Sequence, residues 1–184
     1  MTRALIVIDM QRGFDDLDFW GPTANPECEA NVVRLIEGWD AAGEPIVVVR
    51  HDSVSPASPL HPSDDGNALV DVVAAAPAAV LVSKSVNSAF YGDPDLGEWL
   101  QDRGIRELVI CGIQTNMCVE TTARMAGNLG YDVTVPIDAT HTFDLKGSDG
   151  AVLTADELSR ATAVNLSGGG FATVVSTEQL LATL

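Results

Sequence analysis

Ala4-Leu5-Ile6-Val7-Ile8-Asp9 decides the fold: a run of five apolar residues closed by a carboxylate. An unbroken apolar run, rather than an alternating one, suits a strand buried on both faces, as in a parallel sheet. Outward from it, similar short β-branched runs recur at Ile46–Val49, Val80–Val82, Leu108–Cys111, Val133–Val135 and Thr173–Val175. The segments between most of them carry helical spacing. Glu29–Ala42 presents Val32, Val33, Leu35, Ile36 and Trp39, with Gly43 as a stop just beyond. Asp95–Arg103, Met117–Leu129, Ala155–Asn165 and Thr177–Leu184 predict further helices. Alternation of this kind means βαβ units, and hence a three-layer α/β/α fold with helices on both sheet faces. Two segments break the rhythm. Asp52–Asn67 is rich in Pro, Ser and Asp, and Thr140–Gly150 is polar and Gly-containing. Both read as loops, and loops after strands often line a site.

A length of 184 residues fits one domain spanning 1–184, and a hydrophobic content of 46% supplies a core. The formal net charge of −16 repels phosphates and anionic lipid, which sets aside nucleic acid and membrane surfaces as partners. Three cysteines (Cys28, Cys111 and Cys118) without C-x-x-C spacing suit neither a disulfide framework nor a structural zinc site. The N-terminal apolar run is too short for a signal peptide, and no stretch reaches the roughly 18 apolar residues of a membrane span. A soluble, cytoplasmic protein is therefore expected.

Open parallel sheets bind ligands beyond the C-terminal ends of their strands. The reactive side chains placed there are Asp9, then Arg50, His51 and Asp52, then Lys84, then Gly112–Cys118, then Asp138. Cys118 falls in the first turn of a predicted helix, with Thr115 or Asn116 as its N-cap. Unpaired N–H groups and the positive dipole end would favour a thiolate there and could hold an oxyanion. Position alone leaves a buried core cysteine as the other reading. Cys111, inside a strand, and Cys28, at a helix start, read as structural. A carboxylate ending an apolar strand is costly unless paired or used, so Asp9 is either a catalytic group or a turn cap. Lys84 is either its cation or a surface lysine. Together the three supply a nucleophile, a proton acceptor and a nearby charge.

At these residues the chain resembles the isochorismatase-like cysteine hydrolases, which include nicotinamidases, carbamoylsarcosine amidohydrolases and streptothricin hydrolase. The resemblance rests on Leu5-Ile6-Val7-Ile8-Asp9-Met10-Gln11, on Lys84-Ser85-Val86-Asn87-Ser88-Ala89-Phe90, on Cys111-Gly112-Ile113-Gln114-Thr115-Asn116-Met117-Cys118-Val119, and on Asp138-Ala139. It implies six parallel strands ordered 3-2-1-4-5-6, an Asp9–Lys84–Cys118 triad, and a cis peptide between Ile113 and Gln114 that aims the N–H groups of Gln114 and Cys118 at an oxyanion. It also implies a small amide-like substrate cleaved through a thioester, no organic cofactor, and a homodimer or homotetramer. Relatives that open a vinyl ether can lack the cysteine, so Cys118 favours acyl chemistry and leaves isochorismate-type hydrolysis as the alternative.

Some relatives hold a metal through an Asp-x-His element. Here that region reads Arg50-His51-Asp52, with His61 further on, and the order does not match, so no metal is expected. His51 reads as a substrate contact or a loop histidine, and His141 as structural. Phe14, Trp20, Phe90 and Tyr91 are candidate substrate-pocket walls, with core or subunit interface as the other role. A signalling receiver domain also uses strand-end Asp and Lys, but its lysine follows strand five. A phosphatase with its nucleophilic Asp on strand one wants a second acid where Gln11 stands. A non-catalytic domain of the same fold would have little use for an intact Asp9, Lys84 and Cys118.

Overall fold

The computed structural model describes residues 2–184. In chain order the elements begin with β1 (Arg3–Ile8), a 3-10 turn at Arg12–Asp15, the single-turn helix α1 (Leu17–Trp20), α2 (Cys28–Ala42), β2 (Ile46–His51), the short α3 (Asp71–Ala74) and β3 (Val80–Lys84). Then come α4 (Leu96–Asp102), β4 (Glu107–Ile113), a π-helical turn at Thr115–Val119 that runs into α5 (Glu120–Asn128), β5 (Asp132–Pro136), β6 (Thr140–His141), β7 (Leu145–Lys146) and β8 (Val152–Leu153). α6 (Ala155–Gly168), β9 (Thr173–Val175) and α7 (Thr177–Leu181) close the chain.

The main sheet runs β3-β2-β1-β4-β5-β9, every pair parallel. This is the expected six-strand order. It is extended by β6, which continues alongside the end of β4 through Gly112↔Thr140 and Ile113↔His141. The polar segment 140–150, expected to be loop, thus supplies one short strand to the sheet and half of the antiparallel β7–β8 hairpin.

β1 explains its own sequence. Ala4, Ile6 and Ile8 pack on one face with Leu96 and Leu100 of α4, Ala123 and Ala126 of α5, and Leu166 of α6. Leu5 and Val7 pack on the other with Val32, Leu35 and Trp39 of α2 and Leu180 of α7. All of Ala4–Ile8 are 0% exposed. Fully burying one such large aliphatic side chain is worth about 1.5–3 kcal/mol, so alternation would waste half the strand. The helix ends follow local chemistry. Gly43 takes a left-handed φ of 68° after α2. The Asp95 carboxylate accepts the Glu98 N–H at the start of α4, and Thr154 with Glu157 forms a capping box on α6.

The helix bearing Cys118 starts differently from expectation. Its N-cap residue is Gln114, and neither Thr115 nor Asn116 caps it. Thr115 Oγ1 donates instead to Thr140 Oγ1 at 2.9 Å, and Asn116 Oδ1 accepts from Thr142 Oγ1. Both side chains are spent on Thr140 of β6 and on Thr142 just beyond it, and the first turn opens in π register, with the Val119 N–H reaching Gln114 O at 3.1 Å.

Successive strands leave β1 to β2 on one side and to β4 on the other, which opens a crevice at their C-terminal ends. Gly112 lets β4 approach there. Its φ is +113°, and a Cβ on it would lie 2.0 Å from Ile8 O. No side chain fits.

Candidate active site

Three strand ends meet at the crevice. Asp9, just past β1, has a left-handed φ of 51°, and its N–H donates to Val49 O at 2.9 Å. Lys84 ends β3 and reaches across β2, where its Nζ donates to Asp9 Oδ2 at 2.6 Å, with both side chains at 0% exposure. The same Nζ lies 3.4 Å from Cys118 Sγ and 3.1 Å from His51 Nδ1. The ammonium's three protons thus have three acceptors. Asp9 Oδ1 is buried without a hydrogen-bond partner among the described residues. A carboxylate oxygen of Asp9 lies within 4.8 Å of Cys118 Sγ.

The electrostatics differ from the expected thiolate. Burial pushes the Cys118 thiol up to about 12, the nearby Asp9 charge adds to this, and Lys84 only partly opposes it. The helix start does not win because the sulfur is desolvated and the Lys84 charge is largely satisfied by Asp9. Burial also raises the Asp9 carboxyl, against the pull of Lys84. Burial and Lys84 hold His51 down at about 4, so at neutral pH its imidazole is uncharged and Nδ1 accepts from the ammonium. The sulfur therefore rests as a thiol, beside a carboxyl group with one oxygen left without a partner among the described residues.

A polar frame that sequence reasoning missed holds these groups. Gln11, 1% exposed, accepts the His51 N–H at 2.8 Å and donates to His51 O at 3.0 Å and Asn67 O at 2.8 Å. Asn67 donates to Asp52 Oδ1 and Leu60 O, so the loop after β2 is stitched to the chain after β1. Asp52 is held by Arg50 through two contacts of 2.9 and 3.2 Å, which with Asn67 lower its carboxyl in spite of burial. The signal available in the sequence was Gln11, two residues beyond the strand-end acid.

Above Cys118 opens a cavity of about 540 Å³ lined by Asp9, His51, Asn87, Gln114, Met117 and Cys118 at the floor and by Phe14, Phe19, Trp20, Leu60 and Phe143 on the walls, with Asp144, Leu145 and Lys146 completing the lining. Phe14 and Trp20 lie where expected, with centroids 4.9 Å apart. Phe143 completes the wall at 6.0 Å from Phe14 and 5.6 Å from Trp20, and was missed because it sits in a polar stretch. Phe90 and Tyr91 do not line this cavity. The 3-10 turn after Ser88 drives Phe90 into the core, 5.8 Å from the Tyr131 ring, and leaves Tyr91 72% exposed. His141 bonds to Thr23, and the His61 ring to Ser63, as structural histidines. Cys28 and Cys111 are buried on the α2 face of the sheet.

A profile of the isochorismatase domain matches residues 3–179. The chain belongs to the isochorismatase family. It is 35% identical over 179 residues to the isochorismatase family protein YrdC of Bacillus subtilis, covering 97% of this chain and 94% of YrdC. It is 32% identical over 194 residues to nicotinamidase 3 of Arabidopsis thaliana, covering 98% and 88% of the two chains. The crystal structure of a hydrolase of the isochorismatase family from Chromobacterium violaceum superposes with a TM-score of 0.90 at 37% identity, covering 98% of this chain and 92% of that one. Isochorismatase-family cysteine hydrolases act on amide-type substrates.

In this isochorismatase-family chain, one atom each from Asp9, His51 and Cys118 lies within 4.8 Å of the others, a spacing that could hold a metal ion. The donors do not fit one here, because Lys84 Nζ contacts all three residues. The ammonium already occupies the cation position they define, and a second positive charge would be repelled. The cis peptide between Ile113 and Gln114 is present, and Gln114 lines the cavity beside Cys118.

Proposed function

We propose that this isochorismatase-family hydrolase cleaves the C–N bond of a small amide through Cys118, with Asp9 as proton acceptor and Lys84 as the charge that steadies both. The observation that carries the reading is the single ammonium 2.6 Å from the carboxylate and 3.4 Å from the sulfur at the base of an open cavity. As the sulfur attacks the substrate carbonyl, its proton passes to the orphaned Asp9 Oδ1, which removes the cost of that buried unpaired acceptor. The tetrahedral oxyanion takes hydrogen bonds from the backbone N–H groups of Gln114 and Cys118. Donors of this kind supply about 3 kcal/mol each where they have been removed singly. Asp9 then protonates the leaving nitrogen, the C–N bond breaks, and a thioester remains. Water, deprotonated by Asp9, cleaves the thioester and returns the thiol.

The aromatic wall of Phe14, Trp20 and Phe143 suits a flat or apolar substrate body, and neutral His51 offers it a polar contact. The amide activity named for the nicotinamidase relative supports the bond type. Among the described residues no helix is long and apolar enough to cross a membrane. The three free cysteines suit a reducing, cytoplasmic setting. The exposed apolar Leu145, Val152 and Leu153 of the β7–β8 hairpin suit a homodimer or homotetramer contact.

The test is ammonia or amine release over a panel of small amides, comparing the wild type with Cys118→Ala. Release by the wild type alone supports the proposal. A Cys118→Ala variant as active as the wild type overturns it and points to vinyl-ether or other acid chemistry at Asp9.

A further inference from the structure

Cys118 Sγ has a second polar neighbour besides Lys84. Asn87 Oδ1 lies 3.9 Å from the sulfur, and Asn87 lines the cavity. The carboxamide is exposed, but its backbone is fixed. The loop after Lys84 is closed at its base by the paired Ser83 and Asp93, whose N–H groups reach each other's carbonyls at 2.9 and 2.8 Å. It is pinned to α5 where Thr122 Oγ1 accepts the Ala89 N–H at 3.1 Å and Ser88 Oγ contacts Met125 Sδ at 3.0 Å. α5 is the continuation of the turn that carries Cys118. Asn87 and the sulfur therefore hang from one unit and keep their spacing.

The surroundings of the sulfur are unequal. Lys84 presents only N–H donors, and the backbone at Gln114 and Cys118 adds more donors. A substrate carbonyl has donors to choose from. Beside the sulfur, a substrate N–H finds Asp9 Oδ1, buried and needed for the thiol proton, or the Asn87 carbonyl, which lies 3.9 Å from the sulfur and lines the cavity. We infer that Asn87 is a specificity-determining residue whose side-chain carbonyl accepts an N–H of the substrate amide beside Cys118, selecting amides and ureides over esters. The inference rests on Cys118 being the nucleophile, and it adds the preference for an N–H-bearing group.

The experiment needs no knowledge of the substrate. Iodoacetamide carries a primary amide, and methyl iodoacetate replaces it with an ester. With either, a C–S bond forms, iodide leaves, and the thiol proton passes to Asp9 and on to solvent. The readout is the ratio of the two alkylation rates at Cys118, followed by intact mass, in the wild type, Asn87→Ala and Asn87→Asp, with Cys118→Ala as the blank. A ratio removes any general change in sulfur reactivity. Loss of one hydrogen bond predicts a three- to tenfold fall in the amide-to-ester ratio for Asn87→Ala. Asn87→Asp keeps an acceptor and should retain the wild-type ratio while slowing both reactions through its added negative charge. An unchanged ratio in Asn87→Ala overturns this inference and leaves the nucleophile standing. Failure of both reagents to label Cys118 in the wild type overturns the nucleophile itself, and this inference with it.

Discussion

Replacing Lys84 with methionine keeps most of the side chain's volume and removes its charge. Asp9 and Lys84 are both fully buried and 2.6 Å apart, so the variant strands a carboxylate with no cation to answer it. Breaking a buried pair from one side costs about 3–5 kcal/mol. For a chain of this size each kcal/mol moves the melting midpoint by about 2–4 °C, which predicts a fall of about 6–20 °C. The sign with pH follows from Asp9. Its folded carboxyl is already raised by burial, and loss of Lys84 raises it further. Between the unfolded value of 3.8 and the folded value the native state binds the extra proton, so stability declines as pH rises through that window. Lys84→Met should therefore melt closer to the wild type at pH 5 than at pH 8. Asp9→Asn/Lys84→Met, which removes both charges, should recover most of the loss at pH 8. Thermal and urea denaturation of the three proteins at the two pH values is the assay. A Lys84→Met variant as stable as the wild type at pH 8, or a double variant no better than the single one, would refute the account of a buried, mutually dependent pair.

Cys118 alone among the three cysteines should be alkylated in the folded protein, and, because its thiol is pushed up to about 12, its rate should still be climbing at pH 9; a plateau below pH 7 by stopped alkylation and mass analysis would contradict this. His51, held at about 4 when folded against 6.5, is stabilising to leave neutral, so stability present above pH 6.5 should be lost as pH falls toward 4. Discounted for its partial exposure, that is about 1–2 kcal/mol, and His51→Asn should flatten the curve in urea titrations across this range. Gly112→Ala places a methyl 2.0 Å from Ile8 O in a strand that cannot move, and should yield insoluble protein or a loss above about 4 kcal/mol by chemical denaturation.

Much of the architecture was readable because β1 is buried on both faces and so must be apolar at every position, a pattern no amphipathic element shares. The pairing of Asp9 with Lys84 was readable for a related reason: a charge that terminates such a strand has to be answered by something nearby. What escaped was whatever depends on where loops fold back. Phe143 reaches the cavity only because β6 docks alongside β4, and nothing in Thr140–Gly150 announces that pairing. Phe90 and Tyr91 look alike as neighbouring aromatics after Lys84, yet a 3-10 turn sends one inward and the other out. The thiol's direction of shift was misjudged from helix position because depth of burial, which local sequence does not encode, outweighs the helix end.

Strands β1 and β3 are not neighbours; β2 lies between them, and they stand about 10 Å apart, twice the usual interstrand spacing. Lys84 closes that gap with the full length of its aliphatic stem, a span that aspartate, histidine or a shortened amine could not bridge. The decisive positive charge is thus suspended from the outermost strand of the sheet, while the groups it serves are anchored in the middle. Gentle denaturation that loosens this rim should silence turnover while the central strands, and the protein's bulk spectroscopic signature, are still intact.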